Sequence, residues 1–318
     1  PLIWLTLIMS LAASTVITMS SNHWLLAWLG LELNTLSILP IIMKSHHPRA
    51  TEAATKYFLI QATAATMILL ASIMNAWHTG LWSTQHNSPM TTLLITMAIM
   101  LKLGIAPVHL WYPQVLQGVT MNTALIISTW QKIAPLTLLY MMHHTLNSTV
   151  LLIMGLTSAV FGGWAGLNQT QTRMIMAFSS IAHMGWLITA MTMNPDLATL
   201  TMITYMTMTT ATFMPIAPTT KTINDMGTTW PLSPATLTAT MITLMSLGGL
   251  PPLTGFMPKW LILKELSSTG LTLIATLILM ASLPSLFFYI RLAYLTVLTT
   301  PPATTTTKYK WGFKLNQP

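Results

Sequence analysis

The sequence predicts an all-α polytopic membrane protein that crosses the bilayer about ten times. Of its 318 residues, 53% are hydrophobic and only 6% are charged, whereas roughly a quarter are charged in an ordinary soluble domain. Apolar runs of about 20 residues, the length a helix needs to cross the hydrocarbon core, recur along the chain. These runs are too long and too uniformly apolar for barrel strands, which alternate over about ten residues.

The ten predicted spans divide into two sets of five, followed by a polar tail at 300–318. The first set lies within residues 1–147, with spans at 1–19, 23–43, 53–76, 91–116 and 122–142. The second lies within residues 148–299, with spans at 149–168, 174–193, 197–217, 235–257 and 270–299. The short connections favour antiparallel neighbours in a bundle. Because each set has an odd number of spans, two copies of one five-helix unit would be inverted relative to each other in the membrane.

One glycine and two prolines recur with the same spacing in the fourth span of each set. The two groups are Gly104, Pro107 and Pro113, and Gly249, Pro252 and Pro258. Proline lacks an amide hydrogen and crowds the carbonyl four residues earlier, so it interrupts a helix. We therefore expect two inverted five-helix repeats with one broken helix in each. The residues expected at the breaks are Gly104, Pro107, Gly248, Gly249, Pro251 and Pro252.

The predicted breaks indicate a polar interior. A carbonyl group freed inside lipid costs several kcal/mol unless water or a polar side chain reaches it. In transporters with inverted repeats, broken helices at corresponding places lie near the substrate or ion path. Kinks that serve only helix packing are the alternative.

Basic residues favour one side of the predicted bundle. If the N-terminus is placed on one side, the loops and the tail on that side contain Lys44, Arg49, Lys56, Arg173, Lys221, Lys308, Lys310 and Lys314. The opposite side has little more than Lys264, Glu265 and Asp196. By the positive-inside rule, the N-terminal side is the cytoplasm or its mitochondrial equivalent, the matrix.

Four ionisable residues lie inside or beside apolar spans, where charge is costly and commonly functional. Glu32 lies near the middle of the second span and Lys102 inside the fourth. Lys132 is in the middle of the fifth span, and Lys259 follows the ninth. His183, inside the seventh span, is a weaker candidate. Burial disfavours a charged lysine and a nearby carboxylate favours it, so together these groups predict a proton relay.

Structural roles are the alternative for these groups. A lysine near a span end can extend its ammonium to the interface, which applies to Lys259, and a Glu–Lys pair can simply join two helices. We expect Glu32 to pair with Lys102, directly or through one water, because both lie in the same five-helix unit. Lys102 and His109 are seven residues apart, on one helical face if the break at Pro107 is mild.

Several motifs resemble those of the NADH–ubiquinone oxidoreductase chain 2 family. They are WLGLELN (28–34), EAATKYF (52–58), LKLGIAPVH (101–109), TWQKIAP (129–135), GGWAGLNQ (162–169), SSIAHMGW (179–186) and LGGLPPLTGFMPKW (247–260). The Met- and Thr-rich composition without cysteine resembles the vertebrate mitochondrially encoded form. The family has a further apolar helix after the polar tail, whereas this sequence ends at Pro318. Either the sequence is partial or that helix is lost.

The resemblance implies an antiporter-like subunit in the membrane arm of respiratory complex I. It implies location in the mitochondrial inner membrane and a proton half-channel in the first repeat, joined to neighbouring subunits by a hydrophilic axis. Glu32 matches the glutamate of the family. Lys102 and Lys132 match the paired lysines of the first half, and Lys259 matches the lysine of the second broken helix.

The absence of cysteine excludes disulfides and cysteine-ligated iron–sulfur clusters in this chain, and no nucleotide-binding glycine motif, P-loop or paired-His zinc motif is visible. We therefore expect NADH, flavin, iron–sulfur clusters and ubiquinone to be handled by partner subunits, with no cofactor bound here. The expected partners are other membrane-arm subunits and the lipid bilayer, with no nucleic acid and no substrate other than protons. The leading hypothesis is proton translocation coupled to electron transfer from NADH to ubiquinone. A free-standing cation/proton antiporter and a purely structural subunit are the alternatives.

Overall fold

The computed structural model describes residues 2–217, 222–227 and 234–298, so the predicted polar tail at 300–318 lies outside the described residues. Within the described ranges the chain is helical and has no named strand. Two isolated backbone bridges, His23 with Ser83 and Gln171 with Thr222, join loops between helices. The predicted class, an all-α polytopic membrane protein, is confirmed.

Fourteen α-helices follow one another through the described residues. In the first half these are α1 (Leu2–Ser20), α2 (Trp24–Met43), α3 (Pro48–Thr79), α4 (Pro89–Leu103), α5 (Trp111–Gly118), α6 (Met121–Ser128) and α7 (Ile133–Met141). In the second half they are α8 (Ser148–Gly166), α9 (Thr172–Met193), α10 (Pro195–Ile216), α11 (Ile223–Gly227), α12 (Pro234–Gly248), α13 (Phe256–Ser268) and α14 (Thr272–Leu298).

Seven of these helices are long enough to cross a bilayer without interruption. Six of them are also strongly apolar, namely α1, α2, α3, α8, α9 and α14. The seventh, α10, is less apolar because it contains seven threonines. Each of these hydroxyls donates to a carbonyl three or four residues earlier in the same helix. The hydroxyls are therefore satisfied within the helix and can be tolerated in lipid.

The other three crossings are broken helices. They pair α4 with α5, α6 with α7, and α12 with α13. The fifth span, predicted at 122–142, contains an interruption, because a 3-10 turn at Trp130–Lys132 separates α6 from α7. The ninth span is also longer than the predicted 235–257, because the helix resumes after the break and continues to Ser268. Lys259 therefore lies within a crossing and does not follow it.

The break in the fourth span begins at a glycine. Gly104 follows α4 with a φ of 70°, in the left-handed region that glycine adopts readily, and Pro107 lies between Gly104 and the start of α5. The indole Nε1 of Trp111 donates to the carbonyl of Leu101 at 3.2 Å. Gln61 Nε2 donates to the carbonyl of Lys102 at 3.3 Å. These side chains satisfy carbonyls at the end of α4, as a helix end inside a membrane requires.

The break in the ninth span begins in the same way. Gly248 is the last residue of α12, and Gly249 follows with a φ of 84°. Pro251 and Pro252 lie in the segment before α13. The carbonyl of Gly248, four residues before Pro252, accepts a hydrogen bond from Lys259 Nζ at 3.0 Å. A polar side chain, rather than lipid, therefore faces this end of α12.

The helix α9 lies at the centre of the bundle, with 17 of its 22 residues buried. Glycines permit its close packing on α8. A Cβ atom on Gly185 would lie 2.6 Å from the carbonyl oxygen of Gly155, and one on Gly155 would lie 3.0 Å from that of Gly185. Small residues at such crossings let helix backbones approach closely in membranes. His183 of α9 lies beside Tyr205 of α10 and Tyr289 of α14.

Candidate functional site

A small polar cavity, called the first cavity here, adjoins the break between α4 and α5. Its volume is about 20 Å³, enough for one water molecule. Lys102 and Lys132 both line it, and their exposed fractions are 6% and 3%. The fold therefore brings together two lysines that the sequence places on successive spans.

Amide and hydroxyl groups form the wall of the first cavity. Gln131 Nε2 donates to Asn34 Oδ1 at 3.2 Å, and Tyr57 Oη donates to Gln131 Oε1 at 3.3 Å. The ammonium of Lys102 has no hydrogen-bond partner among the described residues. A buried ammonium without an acceptor is strongly disfavoured. A water molecule in the adjacent cavity would supply the acceptor that this ammonium lacks.

The ammonium of Lys132 lies between two tyrosines. Nζ donates to Tyr205 Oη at 3.2 Å, and it lies 4.9 Å and 5.0 Å from the ring centres of Tyr112 and Tyr205, within the range of cation–π attraction. The hydroxyl of Tyr205 donates to the carbonyl of Ser128 at 3.0 Å. This carbonyl is available because the 3-10 turn directs the amide of Lys132 to Thr129 instead. The break in the fifth span thus supplies the acceptor that orients Tyr205.

A second cavity of about 30 Å³ lies beside the break between α12 and α13. His183, Tyr205 and Lys259 contribute to its lining. The ring centres of His183 and Tyr205 are 5.6 Å apart, and His183 Nε2 lies 3.4 Å from Tyr289 Oη. Tyr205 therefore lines the second cavity while it accepts a hydrogen bond from a lysine of the first.

Glu32 does not touch Lys102 directly. Among the described residues no ion pair within 4.0 Å includes Glu32, and the pair that is present joins Glu52 to Lys56 at 2.6 Å. The half-buried Glu32 accepts a hydrogen bond at Oε2 from the hydroxyl of Thr35 at 2.9 Å, and Thr35 lines the first cavity. Thr35 is the polar group that joins Glu32 to the cavity.

His109 lies apart from Lys102. The helix stops at Gly104 and resumes at Trp111, so no continuous helical face carries both residues. His109 stacks on Phe161 instead, with ring centres 5.7 Å apart. The shared face expected for a mild break is absent because the break is a full interruption of the helix.

Sequence analysis missed several polar residues of the two cavities. They are Asn34, Thr35, Tyr57, Gln61, Tyr112, Gln131 and Tyr205. A polar group in the middle of an apolar span is the signal that identifies these residues, as it does for Lys102 and Lys132. The signal is weakest for Tyr205, because seven threonines surround it in α10.

The site is composed of groups that carry protons. Lysine, histidine and tyrosine each take up or release a proton, and amide and hydroxyl groups orient them. The sequence contains no cysteine. In the part of the chain that the structure describes, no group of three or more His, Asp or Glu residues could hold a metal ion. The arrangement can pass protons between two cavities inside the bundle.

The fold and the buried lysines define an antiporter-like membrane subunit. Residues 21–285 match the family described as NADH:quinone oxidoreductase/Mrp antiporter, TM. Residues 286–318 match the family described as NADH dehydrogenase subunit 2 C-terminus. A chain of the Mrp complex from a Dietzia species has a TM-score of 0.83 at 16% identity, covering 91% of this chain and 59% of that one, which shows a shared fold alone.

More similar proteins define the family more narrowly. NADH-ubiquinone oxidoreductase chain 2 of Latimeria chalumnae is 51% identical over 320 residues, which cover 100% of this chain and 92% of the relative. A chain of respiratory complex I from Thermus thermophilus with bound aureothin has a TM-score of 0.88 at 25% identity, covering 97% of this chain and 75% of that one. The chain belongs to the NADH–ubiquinone oxidoreductase chain 2 family. The resemblance inferred from the sequence motifs is confirmed.

Proposed function

We propose that this chain is a proton-translocating subunit in the membrane arm of respiratory complex I. The observation that carries the proposal is the 3.2 Å contact between Lys132, which lines the first cavity, and Tyr205, which lines the second. A path for protons through a membrane requires such a series of titratable groups inside the bundle. Family membership supports the same function and makes the other membrane-arm subunits its partners.

Each predicted site residue has a role in this proposal. Lys102 and Lys132 exchange a proton through water in the first cavity, and Lys259 and His183 receive it in the second. Glu32 acts on the first cavity through Thr35 and through its own charge. The breaks keep the path polar, because they bring carbonyls and polar side chains into the middle of the bundle.

We also propose that residues 1–147 and 148–299 are inverted five-helix repeats, followed by a polar tail at 300–318. The fourth span of each repeat ends its first helix at a left-handed glycine, Gly104 or Gly249. The lysines differ in position, because Lys102 precedes its break and Lys259 follows its own. Lys102 contributes to the lining of the first cavity and Lys259 to that of the second.

The redox chemistry belongs to partner subunits in this proposal. The chain is a subunit of NADH–ubiquinone oxidoreductase, and the proposal assigns NADH, flavin, iron–sulfur clusters and ubiquinone to other subunits, with no cofactor on this chain. Its own residues supply no thiolate ligand, since the sequence contains no cysteine. The part of this chain in the reaction is to move protons when electrons flow elsewhere.

The proposed location is the mitochondrial inner membrane, with the N-terminus on the matrix side. The described basic residues at the N-terminal end of the bundle are Lys44, Arg49, Lys56, Arg173 and Arg291. Arg291, missed by sequence analysis, donates from Nη1 to the carbonyl of Leu167 at this end, at 2.9 Å. The loops at this end also contact one another, since Gln117 Nε2 donates to Gln171 Oε1 at 3.0 Å. This excess of positive charge supports the assignment to the matrix side.

Replacing Lys132 by methionine tests the proposal. Methionine fills a similar volume and removes the titrating charge, so we expect Lys132→Met to assemble into complex I. We also expect its NADH-driven proton pumping to fall by about tenfold or more, since positioned proton-transfer groups commonly contribute about 10²–10⁴-fold. The matched control is Lys264→Met, which removes an exposed lysine. Wild-type pumping by assembled Lys132→Met complexes would contradict the proposal.

The free-standing antiporter hypothesis predicts a different result. The purified chain in liposomes would then exchange cations for protons without any partner. Our proposal predicts no transport by the isolated chain and NADH-driven pumping only in the whole complex. A fluorescent pH indicator inside the liposomes measures proton movement both by the isolated chain and by the whole complex.

A further inference from the structure

We propose that Tyr205 is the group through which a proton passes between the first and the second cavity, and that its hydroxyl gates this step. This inference rests on the proposed function and adds to it a residue outside the predicted relay. Three observations support it: the position of Tyr205 between the cavities, the orientation of its hydroxyl, and the arrangement of the neighbouring groups.

Tyr205 lies between the first and the second cavity. Lys132 contributes to the lining of the first cavity, and Tyr205 contributes to that of the second. The Nζ–Oη distance of 3.2 Å joins them directly. Only 4% of Tyr205 is exposed, so bulk water does not offer a competing route for this proton.

The neighbouring titratable groups are less well placed for this transfer. Tyr112 presents the face of its ring to Lys132 and lines the first cavity, but it does not line the second. Among the described residues, no hydrogen bond connects Lys132 to His183 directly. His183 instead packs its ring beside that of Tyr205 and lies near Tyr289. Tyr205 is thus the side chain that touches Lys132 and also faces the second cavity.

The transfer balances as a concerted exchange of two protons. An N–H bond of the Lys132 ammonium breaks while a new O–H bond forms on the oxygen of Tyr205. The original O–H bond of Tyr205 breaks at the same time, and its proton passes to water in the second cavity. Lys132 becomes a neutral amine, Tyr205 is again a neutral phenol, and one positive charge has moved from the first cavity to the second. A proton from Lys102 then restores the Lys132 ammonium.

The hydrogen bond to the carbonyl of Ser128 holds the Tyr205 hydroxyl in the orientation that blocks proton transfer. In the structure the hydroxyl of Tyr205 donates to that carbonyl at 3.0 Å. A backbone carbonyl accepts a hydrogen bond but does not pass a proton onward. Transfer therefore requires the hydroxyl to turn about its C–O bond, away from Ser128 and toward the second cavity. Because the ring stays in place, this is a local motion of one hydrogen atom.

The experiment compares tyrosine variants in assembled complex I reconstituted into liposomes. Tyr205→Phe keeps the ring and removes the hydroxyl, and we expect proton pumping per complex to fall by about tenfold or more, as for loss of a proton-transfer group. The matched control is Tyr140→Phe, which removes the hydroxyl of a tyrosine that is 41% exposed. This control should pump at the wild-type rate.

Two polar replacements separate proton transfer from simple positioning. Tyr205→His introduces a side chain that relays protons, whereas Tyr205→Gln can hydrogen-bond to Lys132 and Ser128 but does not titrate. We expect the His variant to pump several-fold faster than the Gln variant. Equal rates in these two would overturn the proposal, and the comparison holds even if Tyr205→Phe fails to assemble.

Proton pumping by Lys132→Met, measured in the same assay, distinguishes failure of the proposed function from failure of the role of Tyr205. If Lys132→Met pumps normally, the proposed function itself fails. If Lys132→Met is impaired but Tyr205→Phe pumps at the wild-type rate, the proton crosses by another route and only the role of Tyr205 is refuted.

Discussion

The left-handed glycine at the second break determines where the ammonium of Lys259 can lie. A Cβ atom added to Gly249 would lie 2.9 Å from Lys259 Nζ and 3.1 Å from its Cδ. Gly249→Ala therefore has two effects. Holding alanine in the left-handed conformation costs about 1–2 kcal/mol, and the new methyl group displaces the end of Lys259 by roughly 0.5–1 Å to reach ordinary contact distance.

The displacement should affect function more than folding. The end of a lysine side chain is flexible, so the collision moves the ammonium and leaves the backbone in place. The 3.0 Å hydrogen bond from Lys259 Nζ to the carbonyl of Gly248 then stretches beyond hydrogen-bonding range. A hydrogen bond to a charged group contributes about 1.5–3 kcal/mol of stabilisation. Loss of this one should therefore lower the rate of proton pumping per assembled complex by about tenfold or more.

Gly270→Ala is the matched control for this prediction. Gly270 has a φ of 79°, and a Cβ atom there would have no neighbour within 4 Å. Gly270→Ala therefore has the same free-energy cost of a left-handed alanine, but its new methyl group collides with no side chain. The assay is NADH-driven acidification of proteoliposomes, normalised to the amount of assembled complex. Equal pumping by the Gly249→Ala and Gly270→Ala complexes would refute the positioning role of Gly249.

Two further predictions concern the first cavity. Trp111→Phe removes the donor to the Leu101 carbonyl and should destabilise the complex by about 1–3 kcal/mol, visible as a lower melting temperature. Trp164→Phe, at a residue that is 71% exposed, should leave that temperature unchanged, and equal shifts would argue against the bond to Leu101. In pumping assays, Glu32→Gln and Lys102→Met should be non-additive, with a double mutant no slower than Lys102→Met alone. Losses that multiply would show that the two charges act independently.

Much of the fold could be predicted from the order of residues. Lipid disfavours exposed polar backbone so strongly that ten crossings are visible as apolar runs. The same cost makes charges inside those runs conspicuous, as for Lys102 and Lys132. Glycine and proline mark the breaks at Gly104 and Gly249, because their effect on the backbone is local. The 3-10 turn at Trp130–Lys132 was missed because it contains neither residue, although Pro135 follows in the first turn of α7.

The contacts between helices were decided by the tertiary structure. Lys132 and Tyr205 are 73 residues apart, and their hydrogen bond depends on how α10 is rotated against α6. Threonine and methionine occur all around α10, so its sequence does not indicate which face turns inward. Glu32 and Lys102 illustrate the same limit, since both were predicted inside the first repeat but their side chains do not meet. Apolar runs specify that a helix lies in the membrane, whereas close packing of its neighbours determines which of its polar groups come within reach of each other.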